Sequence, residues 1–346
     1  MIFNVPIEPI PMRYSVDWQK WFMEYWGSKG IKVHHVHGIE LTKGIEEGRF
    51  LDCVGTNYYK SSQLMAIMQW IKRGVLESGD TLFFHDLWFP GIEQIAYACD
   101  ALNLNIRICG CLHAGAYDPN DFLYQSGMGR WAVHFENMLL EIVDKVFLAT
   151  EYHEDLIMKS RTVNPDKLIV TGFPIKFDQV DWSNEKENLI VFPHRPDPEK
   201  NPHIFTKIAE ALAPANPDWK FINTRHCDTK EEYYKTLGKC KIAISTSDQE
   251  TWGIAMQECV ASGCIPLVPD KLSYREMYHK RYRYTDYFDL IALLQSYIVL
   301  FDTNKDAWKD ANDTMLKGQK WQFSNSGNDA LFKITEELVN DYSYKV

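Results

Sequence analysis

The chain lacks any apolar run near the roughly 18 uncharged residues that a membrane-spanning helix requires. It also lacks the basic start and apolar stretch of a secretory leader, opening instead on Met1-Ile2-Phe3-Asn4-Val5-Pro6. A protein of the cytoplasm with no membrane span is therefore expected. None of the eight cysteines, at 53, 99, 109, 111, 227, 240, 259 and 264, belongs to a Cys-x-x-Cys pair. No histidine pair has zinc spacing either, which argues against a structural metal. Most of the thiols fall inside apolar runs, where cysteine acts as a small hydrophobe, and free thiols fit a reducing compartment. Positive charge is also scarce: 37 Lys and Arg face 47 Asp and Glu, a net charge of −10. That argues against a broad basic groove for nucleic acid and leaves room only for a local patch.

What is present is a globular composition, 45% hydrophobic and 24% charged. A chain of 346 residues exceeds one ordinary core and suits two domains of roughly 150 to 200 residues each. Short β-rich runs alternate with helical patterns, which implies parallel sheets with crossover helices. Strands are expected at Ile31–His37, Leu82–His85, Ile106–His113, Lys145–Thr150 and Lys167–Gly172, then at Leu189–Phe192, Trp219–Asn223, Lys241–Ser245 and Cys264–Val268. Helices are expected at Val16–Trp26, Ser61–Lys72, Ile92–Leu102, Trp131–Val143, Pro202–Leu212, Glu231–Leu237, Thr251–Ser262 and Ser326–Asn340. Phe173–Glu187, with Pro174 and a charged stretch at its end, reads as the linker. The expected organisation is a first domain over 1–175, a second over 176–320, and a C-terminal segment over 321–346 whose helix would pack back on the first domain. Each domain would be α/β and doubly wound, binding ligands at the carboxyl ends of its strands, with the two facing a cleft.

Lys241–Tyr278 carries the strongest chemical signal. A strand runs into Thr246-Ser247-Asp248-Gln249-Glu250, followed by an apolar helix expected from Thr251 to the stop at Gly263. Glu258 is the anomaly in it. An ionised carboxylate there costs several kcal/mol, of order 2–7, unless hydrogen-bonded. Either it is solvated or paired to a basic neighbour, or it accepts two ribose hydroxyls; the second reading is favoured. Glu250 lies eight positions earlier, roughly 12 Å along a helix, which suits the span between the sugar end and the ribose of a folded nucleotide-sugar. The amides near Trp252 and Gly253 would face the diphosphate between them. After Leu189–Phe192, Arg195 and Lys200 offer fixed positive charge for that diphosphate, though an ordinary charged loop has the same composition.

The segment Glu250-Thr251-Trp252-Gly253-Ile254-Ala255-Met256-Gln257-Glu258, followed by Ala261-Ser262-Gly263-Cys264-Ile265-Pro266-Leu267-Val268, resembles the Glu-x7-Glu donor motif of retaining GT-B glycosyltransferases of family four. Trp252 stands for the usual Phe and Cys259 for the usual Ala. The resemblance implies a GT-B fold, with Glu250 at the donor sugar, Glu258 at the ribose, and Arg195 and Lys200 at the diphosphate. It further places His113, at the end of Ile106–Leu112, beside the transferring sugar. The same likeness implies an acceptor-side first domain, a nucleotide-sugar-binding second domain and retention of configuration, with a UDP-sugar as the expected donor. Arg195, Lys200 and the helix N-terminus would stabilise the leaving diphosphate, so no metal is expected to be required. The glycine-free start Pro6–Ser15 departs from the family's Gly-Gly loop. Arg13 and Tyr14 there, with His85 and Asp86, are acceptor-side candidates; Glu8 and Arg13 equally suit a mutual ion pair.

Two further likenesses concern the acceptor. The Cys264–Tyr284 region, with its Leu-x-Tyr-x-Glu pattern at Leu272–Glu276, resembles transferases that mannosylate queuosine in tRNA, while Pro6–Pro9 and Asn57–Lys60 resemble glycosyltransferases of tailed bacteriophages associated with hypermodified DNA bases. Both imply a hydroxyl on a modified base of DNA or tRNA, flipped from its stack. Tyr274–Tyr284 is basic and aromatic and suits nucleic acid, although a plain surface loop explains it as well. A nucleotide-sugar epimerase and a silent nucleotide-sugar binder remain as alternatives.

Overall fold

The computed structural model describes residues 1–10, 13–41, 52–177, 185–304, 306–318 and 329–340. Residues 178–184 of the expected linker, residues 321–328 and 341–346 of the expected C-terminal segment, and residues 11–12 of the opening loop lie outside them. The chain divides into two compact units, Met1–Pro174 with Asp329–Val346, and Ile175–Asn328.

The first unit alternates β1 (Ile2–Val5), α1 (Tyr14–Ser28), β2 (Val33–His35), α2 (Cys53–Arg73), β3 (Thr81–Phe84), α3 (Ile92–Leu102), β4 (Arg107–Cys111), α4 (Gly129–Ile142), β5 (Lys145–Leu148), α5 (Glu151–Ser160) and β6 (Leu168–Val170). Its sheet is parallel, in the order β2-β1-β3-β4-β5-β6. β1, β3 and β4 are buried along their whole length, as a sheet covered by helices on both faces demands. Polar side chains cap the starts of α2 and α5: Asp52 accepts the Val54 and Gly55 amides, and Thr150 accepts the His153 amide.

The second unit runs β7 (Leu189–Phe192), α6 (Pro202–Leu212), β8 (Lys220–Asn223), α7 (Lys230–Lys239), β9 (Ile242–Ile244), α8 (Ile254–Ala261), β10 (Ile265–Pro269), α9 (Tyr274–Met277), β11 (Arg283–Tyr284), α10 (Tyr287–Thr303) and α11 (Ala307–Gly318). The sheet order β11-β10-β9-β7-β8 is again parallel. The last helix, α12 (Ala330–Asn340), belongs to the first unit. Trp26 Nε1 donates to Thr335 Oγ1 at 2.9 Å, Tyr25 donates to Glu336 at 2.9 Å, and the Phe22 and Phe332 rings meet at 4.8 Å. The Arg107 guanidinium also reaches the Leu338 carbonyl.

In each sheet the strand order reverses once, and there two neighbouring strands send their loops to opposite faces. In the first unit this point lies between β1 and β3, in the second between β7 and β9. Open α/β sheets bind their ligands at the carboxyl ends of such strands.

Candidate active site

At the reversal point of the second unit, the loop leaving β7 meets the loop leaving β9. Lys200 ends a short turn, Pro198–Lys200, and Asn201 follows with a left-handed φ of 51°. Lys200 is buried, and its Nζ donates to the Gln249 carbonyl at 2.6 Å and to Glu250 Oε2 at 3.3 Å. Asn201 donates to the Thr246 carbonyl and to Asp248, Thr246 Oγ1 donates to the Lys200 carbonyl, and the Asp248 amide donates to the Glu199 carbonyl. The two loops are thus tied at both backbone and side-chain level.

Glu250 turns its other oxygen back on its own chain, accepting the Gly253 amide at 2.8 Å and the Trp252 amide at 3.4 Å. These amides were expected to face a diphosphate. They face Glu250 instead, because Gly253 adopts a φ of 63° and delays the helix from Thr251 to Ile254. Burial alone would raise the Glu250 pKa, yet the Lys200 charge and the Gly253 amide hold it below the usual carboxylate value. Beneath this turn, Ser273 Oγ donates to the Glu250 carbonyl at 3.2 Å. A Cβ on Gly253 would lie 3.0 Å from the Tyr274 ring, so Leu272–Glu276 buttresses the turn.

Arg195 lies on the same loop. It is half-exposed and pairs with Asp197 at 3.1 Å and Glu199 at 3.8 Å. The residue before it, His194, was passed over in the sequence although it follows a buried strand. It is 5% exposed, and its Nε2 has no hydrogen-bond partner among the described residues. Burial, followed by the nearby Lys200 charge, pushes its pKa down to about 3, so the ring is neutral.

Glu258 stands on α8, half-buried, with Met256, Cys259 and Val260 buried around it. Tyr233 donates to its Oε2 at 3.0 Å and Tyr234 to its Oε1 at 2.9 Å. The desolvation anticipated for this carboxylate is therefore offset by two phenols from α7.

In the first unit, His113 follows β4. Its Nε2 lies 2.7 Å from the His85 carbonyl, and its Nδ1 lies 3.2 Å from the Tyr14 hydroxyl. A carbonyl only accepts, so the proton is assigned to Nε2, and Nδ1 accepts from Tyr14. Burial lowers the His113 pKa. Trp18 and Phe173 pack on the ring, with centroids 5.2 and 4.8 Å away.

The His85 side chain, expected toward an acceptor, is instead fully buried among Trp18, Phe22 and Phe83, because it closes a strand covered on both faces. Its backbone carbonyl is what meets His113 Nε2. Asp86 pairs with Lys60 at 2.9 Å and accepts the Trp88 amide. Arg13 provides the extended residue before α1, and Glu8 accepts from Thr56 Oγ1 at 2.8 Å. Over 274–284 the residues Tyr274, Tyr278, Tyr282 and Tyr284 are buried, which removes them as a stacking surface, and Arg275 and Arg283 pair with Asp270. Among the described residues no group of three His, Cys, Asp or Glu side chains is placed to hold a metal ion, and no helix is long and apolar enough to cross a membrane.

No protein-family model matches the chain. A segment of 121 residues is 36% identical to a tRNA-queuosine alpha-mannosyltransferase of Drosophila melanogaster, covering 35% of this chain and 29% of that relative. Among solved structures, the sucrose-phosphate synthase of Thermosynechococcus elongatus aligns over 98% of this chain and 99% of its own with a TM-score of 0.67 at 10% identity. S. aureus TarM, in complex with fondaparinux, alpha-GlcNAc-glycerol and UDP, aligns over 81% of this chain and 59% of its own, with a TM-score of 0.58 at 14% identity. The chain thus spans about three fifths of TarM and under a third of the mannosyltransferase. With its two parallel sheets, it has the GT-B fold of glycosyltransferases.

Proposed function

We propose that this chain is a retaining glycosyltransferase that moves a sugar from a nucleotide-sugar, a UDP-sugar first, to a hydroxyl on a modified nucleobase. The observation that carries the reading is the arrangement around α8. Glu250 precedes the helix, locked to Lys200 and to the Gly253 amide, and Glu258 lies within it.

In this reading Glu250 accepts from donor-sugar hydroxyls and Glu258 from the ribose. An ammonium has three donors, and two of those on Lys200 go to Gln249 and Glu250. The third is directed to the diphosphate, with Arg195 as the second cation. As the bond from the anomeric carbon to the diphosphate oxygen breaks, these cations stabilise the growing negative charge. The acceptor oxygen bonds to the face that the diphosphate leaves, and its proton goes to the departing phosphate or to water. Trp252 and Gly253 act by shaping the Glu250 turn. His113 is neutral and held through both nitrogens, so it is assigned a place beside the sugar and no proton transfer. Tyr14, Arg13 and Asp86 remain on the acceptor side.

For the acceptor, the likeness to a tRNA-queuosine mannosyltransferase favours a nucleoside in tRNA over a base in phage DNA. The test is incubation with radiolabelled UDP- and GDP-sugars and, in parallel, queuosine-containing tRNA, queuosine-free tRNA and hydroxymethylated DNA. Label in queuosine-containing tRNA alone is expected. Label in DNA alone restores the phage-type reading, a free epimerised sugar points to an epimerase, and nucleotide binding without turnover points to a silent binder.

A further inference from the structure

Glu258 is held by a helix other than its own. α7 begins with a reciprocal cap in which Thr229 Oγ1 accepts the Glu232 amide at 3.2 Å and the Glu232 carboxylate accepts the Thr229 amide at 3.3 Å. The cap fixes the first turn of α7 after the carboxyl end of β8, and the next two residues are Tyr233 and Tyr234. Consecutive helical residues point about 100° apart, so both reach one carboxylate only when it lies between them. Here each phenol takes one oxygen, at 3.0 and 2.9 Å, and the rings meet edge to face at 5.4 Å. One donor per oxygen fixes both the direction and the plane of the carboxylate. Burial, and then the Glu258 charge, raise the Tyr233 pKa well above its usual value, which keeps the proton on the phenol.

We propose that Tyr233 and Tyr234 are positioning residues that orient Glu258 to read the ribose 2′- and 3′-hydroxyls together, so that the chain selects ribonucleotide donors over 2′-deoxyribonucleotide donors. The inference rests on the donor reading above. A loose glutamate rotates to satisfy whichever hydroxyl is offered, whereas a fixed carboxylate penalises a ligand that lacks one.

The test titrates UDP, GDP and their 2′-deoxy counterparts into the 346-residue chain and its Tyr233→Phe, Tyr234→Phe and double variants by calorimetry. The wild type is expected to bind the ribonucleotide about tenfold more tightly than its deoxy form, the size of one charge-assisted hydrogen bond. That ratio should fall toward one in the double variant, with each single variant between. If the double variant does not fold, Tyr233→Phe, at the less buried of the two positions, carries the comparison. A wild-type ratio near one, or a ratio that survives in a folded variant, overturns the positioning role and leaves the transferase reading standing. Failure of the wild type to bind either ribonucleotide overturns both.

Discussion

Lys200 and Glu250 are separated by 50 positions in sequence, yet the ammonium lies 3.3 Å from the carboxylate. The reversal of strand order between β7 and β9 brings their loops together, and burial makes each charge depend on the other. Breaking such a pair from one side costs about 3–5 kcal/mol, because the remaining charge is stranded. Lys200→Met should therefore lower the stability of the second unit by about 3 kcal/mol, and Lys200→Met with Glu250→Gln should recover part of that loss. Both proteins should lack transferase turnover. Urea unfolding at pH 7 provides the measurement, and a Lys200→Met midpoint equal to wild type would show that the pair contributes nothing.

The same pair predicts an acid dependence. The folded-state pKa of Glu250 lies below its ordinary value of 4.5. Its contribution is thus complete above pH 4.5 and fades as the pH falls through the lower folded-state value. The stability difference between wild type and Glu250→Gln should be constant from pH 7 to about 5 and should shrink below that. A difference that grows toward acid pH would mean the carboxyl is protonated in the fold.

Arg195 offers a contrast. At 42% side-chain exposure it pairs with two carboxylates of its own loop, and exposed pairs contribute about 0–1 kcal/mol. Arg195→Ala should leave the unfolding midpoint within error. Its UDP affinity should drop about tenfold, the size of one charge-assisted hydrogen bond, with a weaker salt dependence than wild type. Unchanged affinity would remove Arg195 from the donor site and leave Lys200 as its cation.

Much of the scaffold was legible because buried parallel strands are continuous apolar runs and amphipathic helices repeat their apolar residues every third or fourth position: the strand Leu189–Phe192 and the helix Ile92–Leu102 were bounded to the residue. β1 escaped notice because four residues containing Asn4 and ending at Pro6 have no period to read. In α10 the buried stripe Leu290, Leu294, Ile298 and Phe301 is blurred by exposed Phe288, Val299 and Leu300. At the candidate site, residue types and spacing singled out Glu250, Glu258 and Lys200 as candidates. They did not show that Gly253 turns left-handed, that Glu250 takes up the amides meant for a ligand, or that two tyrosines from another helix hold Glu258. Those facts depend on backbone sign and on contacts between distant segments, which pattern alone does not encode.

Gly110 exposes a packing requirement in the central sheet. It pairs in register with Phe84 on β3, and a Cβ there would fall 2.2 Å from the Phe84 carbonyl oxygen. That atom belongs to the backbone, so relief needs the strands to part. Gly110→Ala should destabilise the first unit by about 3 kcal/mol or more, read by thermal unfolding, while Gly27→Ala, which meets nothing within 4 Å, should be nearly neutral or mildly stabilising. Equal midpoints for the two would show that β3 and β4 adjust freely.

Buried neutral histidines make the first unit the more acid-sensitive one. Burial pushes His153 down to about 3 and His85 well below its ordinary value, and both lie in that unit; His194, also near 3, lies in the other. In the unfolded chain all three regain a pKa of about 6.5. Their stability is therefore complete above pH 6.5 and is lost as the pH falls, at about 1.4 kcal/mol per pH unit for each. Hydrogen exchange at pH 5 should find peptides from 1–174 opening before those from 185–304. His85→Leu isolates one contribution, since the ring makes no hydrogen bond among the described residues and is enclosed by Trp18, Phe22 and Phe83. The variant should keep its stability at pH 7.5, lose about 1.4 kcal/mol per pH unit of acid sensitivity, and retain turnover, because His113 is held by the His85 carbonyl. An unchanged acid slope would place the titration elsewhere, and lost turnover in a folded variant would give the imidazole itself a part in the reaction.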